Sequence, residues 1–194
     1  MDESQTGEQD RGKTTTALTR VVLGVTGGIA AYKAAELVRL LVKDGVVVDV
    51  ILTDAGARFV TATTFQALSG RPVLTDLWQS GADNAMGHIA LSRGADAIVV
   101  APATANTIAK LAHGFADDLV ATLCLATTAP ITLAPAMNHR MWLNPATQAN
   151  VETLRTRGVR FVGPVDGPLA EGESGPGRMS EPMDIVAALA GAMV

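Results

Sequence analysis

Four short apolar runs rich in β-branched residues, each closed by glycine or small polar residues, set the rhythm of the chain: Thr19 to Val25, Val46 to Leu52, Ala95 to Ala101 and Ala129 to Ala134. Continuous apolar runs of this length, bounded by turn residues, predict buried strands. Between them apolar residues recur at helical spacing, most clearly from Ile29 to Leu41 and again from Thr63 to Leu68. Asn144 to Leu154 adds a helix with an Asn cap and Pro145 at its first position. Pro72 to Leu74 and Arg160 to Val162 predict two further short strands, and Met183 to Met193 a closing helix. Strands alternating with helices in this way predict a single α/β domain built on a parallel sheet.

Two stretches break the rhythm. Residues 163 to 182 hold Pro164, Gly167, Pro168, Gly172, Gly175, Pro176 and Gly177. A structureless loop of that length inside a compact domain is functional or disordered, and because a helix resumes after it, the expectation is an active-site flap. Residues 1 to 19 are polar, without an apolar core, which predicts a disordered N-terminal tail and no signal peptide. The domain then spans 20 to 194.

Composition narrows the function classes. The net charge is −4 and no face is dense in Lys or Arg, so neither nucleic acid nor an anionic membrane is the expected partner. The longest apolar stretch, Val21 to Ala31, is broken by Gly24, Thr26, Gly27 and Gly28, too soon to span a bilayer. The single cysteine, Cys124, excludes an internal disulfide framework, is compatible with a reducing cytoplasm, and in its apolar setting reads as packing. No metal site is expected. A small organic substrate fits best.

The candidate chemistry sits where strands end, the edge at which open α/β sheets bind ligands. Thr26-Gly27-Gly28 leads into a helix; glycines let the backbone approach a ligand and the free N–H groups of a helix start favour a phosphate, although a tight turn needs the same residues. Thr53 is a phosphate ligand or a simple N-cap. Small residues from Pro102 to Ala105 leave room for a flat ring, with Thr104 and Asn106 as hydrogen-bonding groups and Thr104 also a cap. His88 follows a polar loop and precedes an apolar patch, placing it in a cleft or in a structural role. Asp117 and Asp118 open a helix, where the dipole favours them.

Taken in order, Gly27-Gly28-Ile29-Ala30-Ala31-Tyr32-Lys33, Ala101-Pro102-Ala103-Thr104-Ala105-Asn106, Pro135-Ala136-Met137-Asn138-His139-Arg140-Met141-Trp142 and Gly175-Pro176-Gly177-Arg178-Met179 strongly resemble the homo-oligomeric flavin-containing cysteine decarboxylases, over nearly everything from Arg20 onward. The resemblance implies a three-layer, Rossmann- or flavodoxin-like fold. It implies FMN with its phosphate on Gly28, Ile29, Ala30 and Thr53, Thr26 nearby, and its ring against Ala103, Thr104 and Asn106. His88 and Asn138 match the catalytic pair. Met137, Asn138, Glu171 and Arg178 are the substrate-side residues, and the site is expected between subunits of a trimer, often gathered into a dodecamer.

The chemistry implied is oxidative. Loss of CO2 from a cysteine leaves electrons on Cα with no sink; removing a hydride from Cβ to the flavin gives a thioaldehyde, which delocalises the carbanion as an enethiolate. His88 then handles a proton or steadies the thiolate, and Asn138 aligns the carboxylate. Two branches differ in how the reaction ends. In phosphopantothenoylcysteine decarboxylase, of coenzyme A synthesis, a flap cysteine donates a proton and 4'-phosphopantetheine results; the peptidyl-cysteine decarboxylases stop at the aminoenethiol of a ribosomal precursor peptide. This chain has Glu171 where the flap cysteine would stand. A flap glutamate is ionised near neutral pH, so the expected reaction stops at the enethiol and the expected substrate is a C-terminal peptidyl cysteine, with phosphopantothenoylcysteine as the alternative. A flavin prenyltransferase or a non-catalytic FMN carrier would leave His88 and Asn138 unexplained.

Overall fold

The computed structural model describes residues 18–77, 87–170 and 172–191, with only the backbone of 87–90. The expected apolar strands appear as β1 (Arg20–Val25), β2 (Val47–Leu52), β3 (Ala97–Ala103), β4 (Ile131–Pro135) and the short β5 (Arg160–Phe161). All pair in parallel, in the order β2-β1-β3-β4-β5. Alternation of side chains across a strand divides the core in two. Val21, Leu23 and Val25 of β1 join Val99 and Ala101 of β3 on one face, whereas Val22 joins Ile98, Val100 and Leu133 on the other.

Each face is covered by helices, which is why these strands read as unbroken apolar runs. On the first, α1 (Ala31–Lys43) packs against α3 (Ala62–Ser69) and α9 (Pro182–Ala190). On the second lie α4 (Gly87–Gly94), α5 (Ala105–His113), α6 (Leu119–Ala126) and α8 (Pro145–Thr156). The short α2 (Asp54–Ala57) and α7 (His139–Leu143) sit at the ends of β2 and β4. The result is the expected three-layer, flavodoxin-like α/β domain.

The chain moves outward from β1 to β2, then crosses back to place β3 on β1's other side. That reversal opens a crevice at the carboxyl ends of β1 and β3, the position at which this sheet order binds ligands. Thr26 ties its two sides together: its hydroxyl donates to the Pro102 carbonyl at 2.7 Å and accepts from the Thr104 amide at 3.4 Å.

Three differences from the sequence-based expectations have physical causes. Pro72 to Leu74 does not make a strand; Leu74 forms one bridge to Ile51, since Pro72 offers no amide to extend the ladder. Residues 163 to 182 are not structureless: they contain an antiparallel hairpin of β6 (Val165–Pro168) and β7 (Ser174–Arg178), which docks on α7. Gly175 and Gly177 serve that docking, since a Cβ on either would press on residues 137 to 139. Order also begins before Arg20, because Leu18 packs on the core and Thr19 donates from its amide and hydroxyl to Asp96 at 2.8 and 2.6 Å. The rest of the expected tail, the loop from Ser80 to Ala85, Glu171 and the side chain of His88 lie outside the described residues. No helix among the described residues is long and apolar enough to cross a membrane.

Candidate active site

Each strand end contributes one piece of the crevice. After β1 the chain turns through Thr26 to Ala30 into α1, whose N-cap, Ala30, makes no side-chain cap and whose first turn holds no acidic residue. The amides of Ala31, Tyr32 and Lys33 donate to the Gly28, Ile29 and Ala30 carbonyls at 3.0, 3.4 and 2.9 Å, so an anion at this helix start would meet the backbone of the turn itself, Gly28 to Ala30, which lines the cavity. Gly27 has no room for a side chain: a Cβ there would come within 2.6 Å of the Ala55 Cβ. The missing atom lets the turn close against α2 and brings the end of β2 beside it.

Thr53 and Thr104 both act as caps. The Thr53 hydroxyl donates to the Val25 carbonyl at 3.2 Å and accepts from the Gly56 amide at 3.1 Å. Thr104 accepts from the Thr107 amide at 3.2 Å and starts α5. After β4, Asn138 caps α7 by accepting from the Arg140 amide at 2.8 Å. Asp118 caps α6, and Lys110 bridges Asp117 and Asp118 at 2.8 Å each.

Two adjoining cavities fill the crevice. The first, about 600 Å³, is lined by the α1 start from Gly27 to Ala30, by Met137 and Asn138, and by Arg178 and Met179 of the hairpin region. The second, about 780 Å³, is lined by Thr26, Thr53, Thr104, Asn106 and the Lys110 cluster. Gly27, Thr104, Ala105 and Met141 border both. The sequence-predicted cofactor residues are thus divided, with Gly28, Ile29 and Ala30 on the first cavity and Thr26, Thr53 and Asn106 on the second. Ala103 is fully buried and lines neither; its carbonyl accepts the Ala136 amide at 3.1 Å. Met137, Asn138 and Arg178, expected from the sequence on the substrate side, all line the first cavity.

Lys33 and Glu181 escaped the sequence reading. Lys33 is only 9% exposed and donates to the Met179 carbonyl at 3.1 Å and to Glu181 at 2.9 Å. Glu181 also accepts from Arg178. The ammonium of Lys33 and then the guanidinium of Arg178 hold the Glu181 carboxyl below the usual carboxylate range. The available signal was position: Lys33 lies four and eight residues before Leu37 and Leu41, on the buried stripe of α1.

The hairpin meets residues 137 to 139 backbone to backbone. The Met137 amide donates to the Gly177 carbonyl at 3.0 Å. A Cβ on Gly177 would lie 2.2 Å from the Met137 carbonyl oxygen, and one on Gly175 would lie 3.1 Å from the His139 Cβ. Glu173 adds an ion pair to Arg140 at 3.2 Å, and its other carboxylate oxygen lies 3.3 Å from His139 Nδ1. Cys124 takes no part; burial first, and Asp118 second, push its thiol up to about 12.

A phosphate-bearing flavin fits this donor set, with an uncapped helix start free of acid beside small residues on the adjoining strand end. Comparison with known proteins agrees. The flavoprotein family model matches residues 10–194. Coenzyme A biosynthesis bifunctional protein CoaBC of Haemophilus influenzae is 54% identical over 169 residues, 87% of this chain and 42% of that protein. The chain spans about two fifths of the length of such curated relatives. A cysteine-to-serine mutant of PPC decarboxylase complexed with pantothenoylaminoethenethiol superposes with a TM-score of 0.79 at 31% identity, over 89% of this chain and 97% of that one. The FMN-dependent cysteine decarboxylase SpaF gives 0.77 at 33%, over 90% and 95%.

Proposed function

The chain belongs to the flavoprotein family, among relatives that are FMN-dependent cysteine decarboxylases, and we propose that it decarboxylates phosphopantothenoylcysteine. The observation that carries this choice of substrate is the 54% identity to a coenzyme A biosynthesis protein over 169 residues; the solved PPC decarboxylase and SpaF, at 31% and 33%, do not divide the branches. It reverses the preference drawn from the flap alone.

FMN, when bound, supplies the two-electron oxidation that gives the departing carboxylate an electron sink. The chain's own residues do the rest. The α1 start and its glycines receive the phosphate of the cofactor. Asn138, fixed as the cap of α7, holds the substrate carboxylate beside Met137, so that its bond to Cα is aligned for cleavage. His88, carried on α4, handles the proton of the substrate thiol. The hairpin walls the first cavity with Gly177, Arg178 and Pro168, limiting water at the reacting carbon. Ile29, Tyr32 and Met141 are half or more exposed at the same cavity, which supports a site completed by a second copy of the chain in a homo-oligomer. A reducing, cytoplasmic setting suits the thiol substrate.

One sequence feature favours a second reading. Glu171 replaces the cysteine proton donor expected of the coenzyme A branch, and the PPC decarboxylase mutant that lacks a cysteine is the one complexed with an aminoethenethiol. On that reading the product is an enethiol and the substrate a C-terminal peptidyl cysteine. Incubation of the purified protein with phosphopantothenoylcysteine and, separately, with a cysteine-terminated peptide, followed by mass measurement, distinguishes the two. Loss of CO2 alone from phosphopantothenoylcysteine is expected. Loss of CO2 with two hydrogens from that compound would keep the substrate and move the product to the enethiol. Turnover of the peptide with phosphopantothenoylcysteine inert would overturn the proposal.

A further inference from the structure

The polar wall of the first cavity is built from three charges that the decarboxylase reading does not itself employ as a set. Lys33 rises from the buried stripe of α1, Glu181 precedes α9, and Arg178 ends β7. All three line the cavity. Glu181 is the shared partner: one oxygen, Oε1, accepts from Lys33 Nζ at 2.9 Å and from Arg178 Nη2. Lys33 is itself pinned, since Nζ also donates to the Met179 carbonyl, and burial of its stem leaves little freedom. An arginine 41% exposed at the side chain would otherwise sample many rotamers. Tethering it through Glu181 to a buried lysine removes that freedom before any ligand arrives.

The tether leaves the Arg178 guanidinium over Gly167 of β6, where a Cβ would come 3.2 Å from Nη1. Gly177, the preceding residue, lies against the backbone of Met137 and Asn138. Arg178 borders the same cavity as Asn138, the residue assigned to the substrate carboxylate. Asn138 is a neutral amide; Arg178 adds the formal charge that a carboxylate seeks. Set against the two cations, Glu181 leaves the wall with a net charge of about +1, enough to favour an anion.

We propose that Glu181 is the positioning residue of this site: anchored by Lys33, it holds the Arg178 guanidinium at the cavity that Asn138 also borders, to receive the carboxylate of the cysteine substrate. The inference rests on the decarboxylase reading. Arg178 touches substrate; Glu181 and Lys33 act through it.

The test is calorimetric binding to the FMN-loaded protein. The ligand is phosphopantothenoylserine, which keeps the carboxylate but lacks the thiol and so does not react; 4'-phosphopantetheine, which lacks the carboxylate, is the control. Arg178→Met and Glu181→Gln are each expected to weaken the serine analogue about tenfold, with flavin content unchanged. Lys33→Met is expected to weaken it by a smaller factor. In the Arg178→Met background, Glu181→Gln should have no further effect, because its influence passes through the missing guanidinium. Affinity for 4'-phosphopantetheine should be unchanged in every variant. Additive losses from Glu181→Gln and Arg178→Met, or an equal loss for 4'-phosphopantetheine, would overturn the proposal while leaving the decarboxylase reading intact. Failure of the unmutated protein to bind the serine analogue, or a serine-terminated peptide, would remove that reading and this inference with it. If Glu181→Gln does not fold, Lys33→Met alone carries the same non-additivity test against Arg178→Met.

Discussion

Replacing Gly177 with alanine tests whether the hairpin is held by close backbone contact. The added Cβ would sit 2.2 Å from the Met137 carbonyl oxygen, with the His139 amide nitrogen at 3.3 Å and the Asn138 carbonyl carbon at 3.4 Å. All three neighbours are main-chain atoms that cannot rotate away. Ordinary contact needs roughly 1 Å more room, so the hairpin must lift. Lifting breaks the Met137 N–H bond to the Gly177 carbonyl, worth about 1 kcal/mol, on top of an overpacking cost of about 1–3 kcal/mol. The sum, about 2–4 kcal/mol, falls on the docked hairpin and leaves the sheet core alone. Native-state hydrogen exchange reads it directly: amides of β6, β7 and Met137 should exchange about 30- to 1,000-fold faster, while those of Val22 and Val99 keep their rates. Gly191→Ala is the control, since a Cβ there meets nothing within 4 Å. Unchanged exchange in the hairpin of Gly177→Ala would refute the reasoning, as would equal acceleration throughout the core.

The same geometry sets four further outcomes. Gly27→Ala, which drives a Cβ to within 2.6 Å of the Ala55 Cβ, should open the β1–α1 turn and weaken FMN retention at least about tenfold, read as flavin absorbance per protein after gel filtration. His88→Asn should abolish turnover and leave the protein yellow; a colourless variant would mean the residue serves cofactor binding. Cys124, with its thiol pushed up to about 12, holds about one thiolate in ten thousand at pH 8, so iodoacetamide should label it only after denaturant is added. Asp96 is held below the usual carboxylate range chiefly by the Thr19 hydroxyl, with the Thr19 and Arg20 amides adding to it. Its contribution is fully present above the unfolded carboxyl value, near 4, and is lost as pH falls through the lower folded value. Denaturant melts of Asp96→Asn should therefore lie below the unmutated protein at pH 6 and converge with it in strong acid.

Much of this was legible in the sequence because buried parallel strands are continuous apolar runs. Val21 to Val25 and Ala97 to Ala101 announce themselves on both of their faces. The Asn144 cap and Pro145 mark the start of α8 correctly for a purely local reason. What was lost was non-local. The hairpin carries no alternation, since Gly175 and Gly177 are chosen for what they touch on α7 and the strand end before it, so a turn-rich composition read as structureless. Lys33 finds its partners in the Met179 carbonyl and Glu181, nearly 150 residues on, which no local pattern announces. Thr53 and Thr104 illustrate the reverse case, where the ordinary capping explanation holds and the proposed ligand role comes in addition to it.

The hairpin's grip on residues 137 to 139 is made of main-chain atoms and two gaps where side chains are missing, with Glu173 the one tip side chain among the described residues that adds an ion pair, to Arg140. Such an attachment is indifferent to what the remaining tip residues are. Substitution at the tip can therefore change how a reaction ends without disturbing how its substrate is held, and the two halves of the chemistry become separable under selection. Under the proposed function, exchange of a single tip side chain is the step that would turn a saturated thiol product into an unsaturated one.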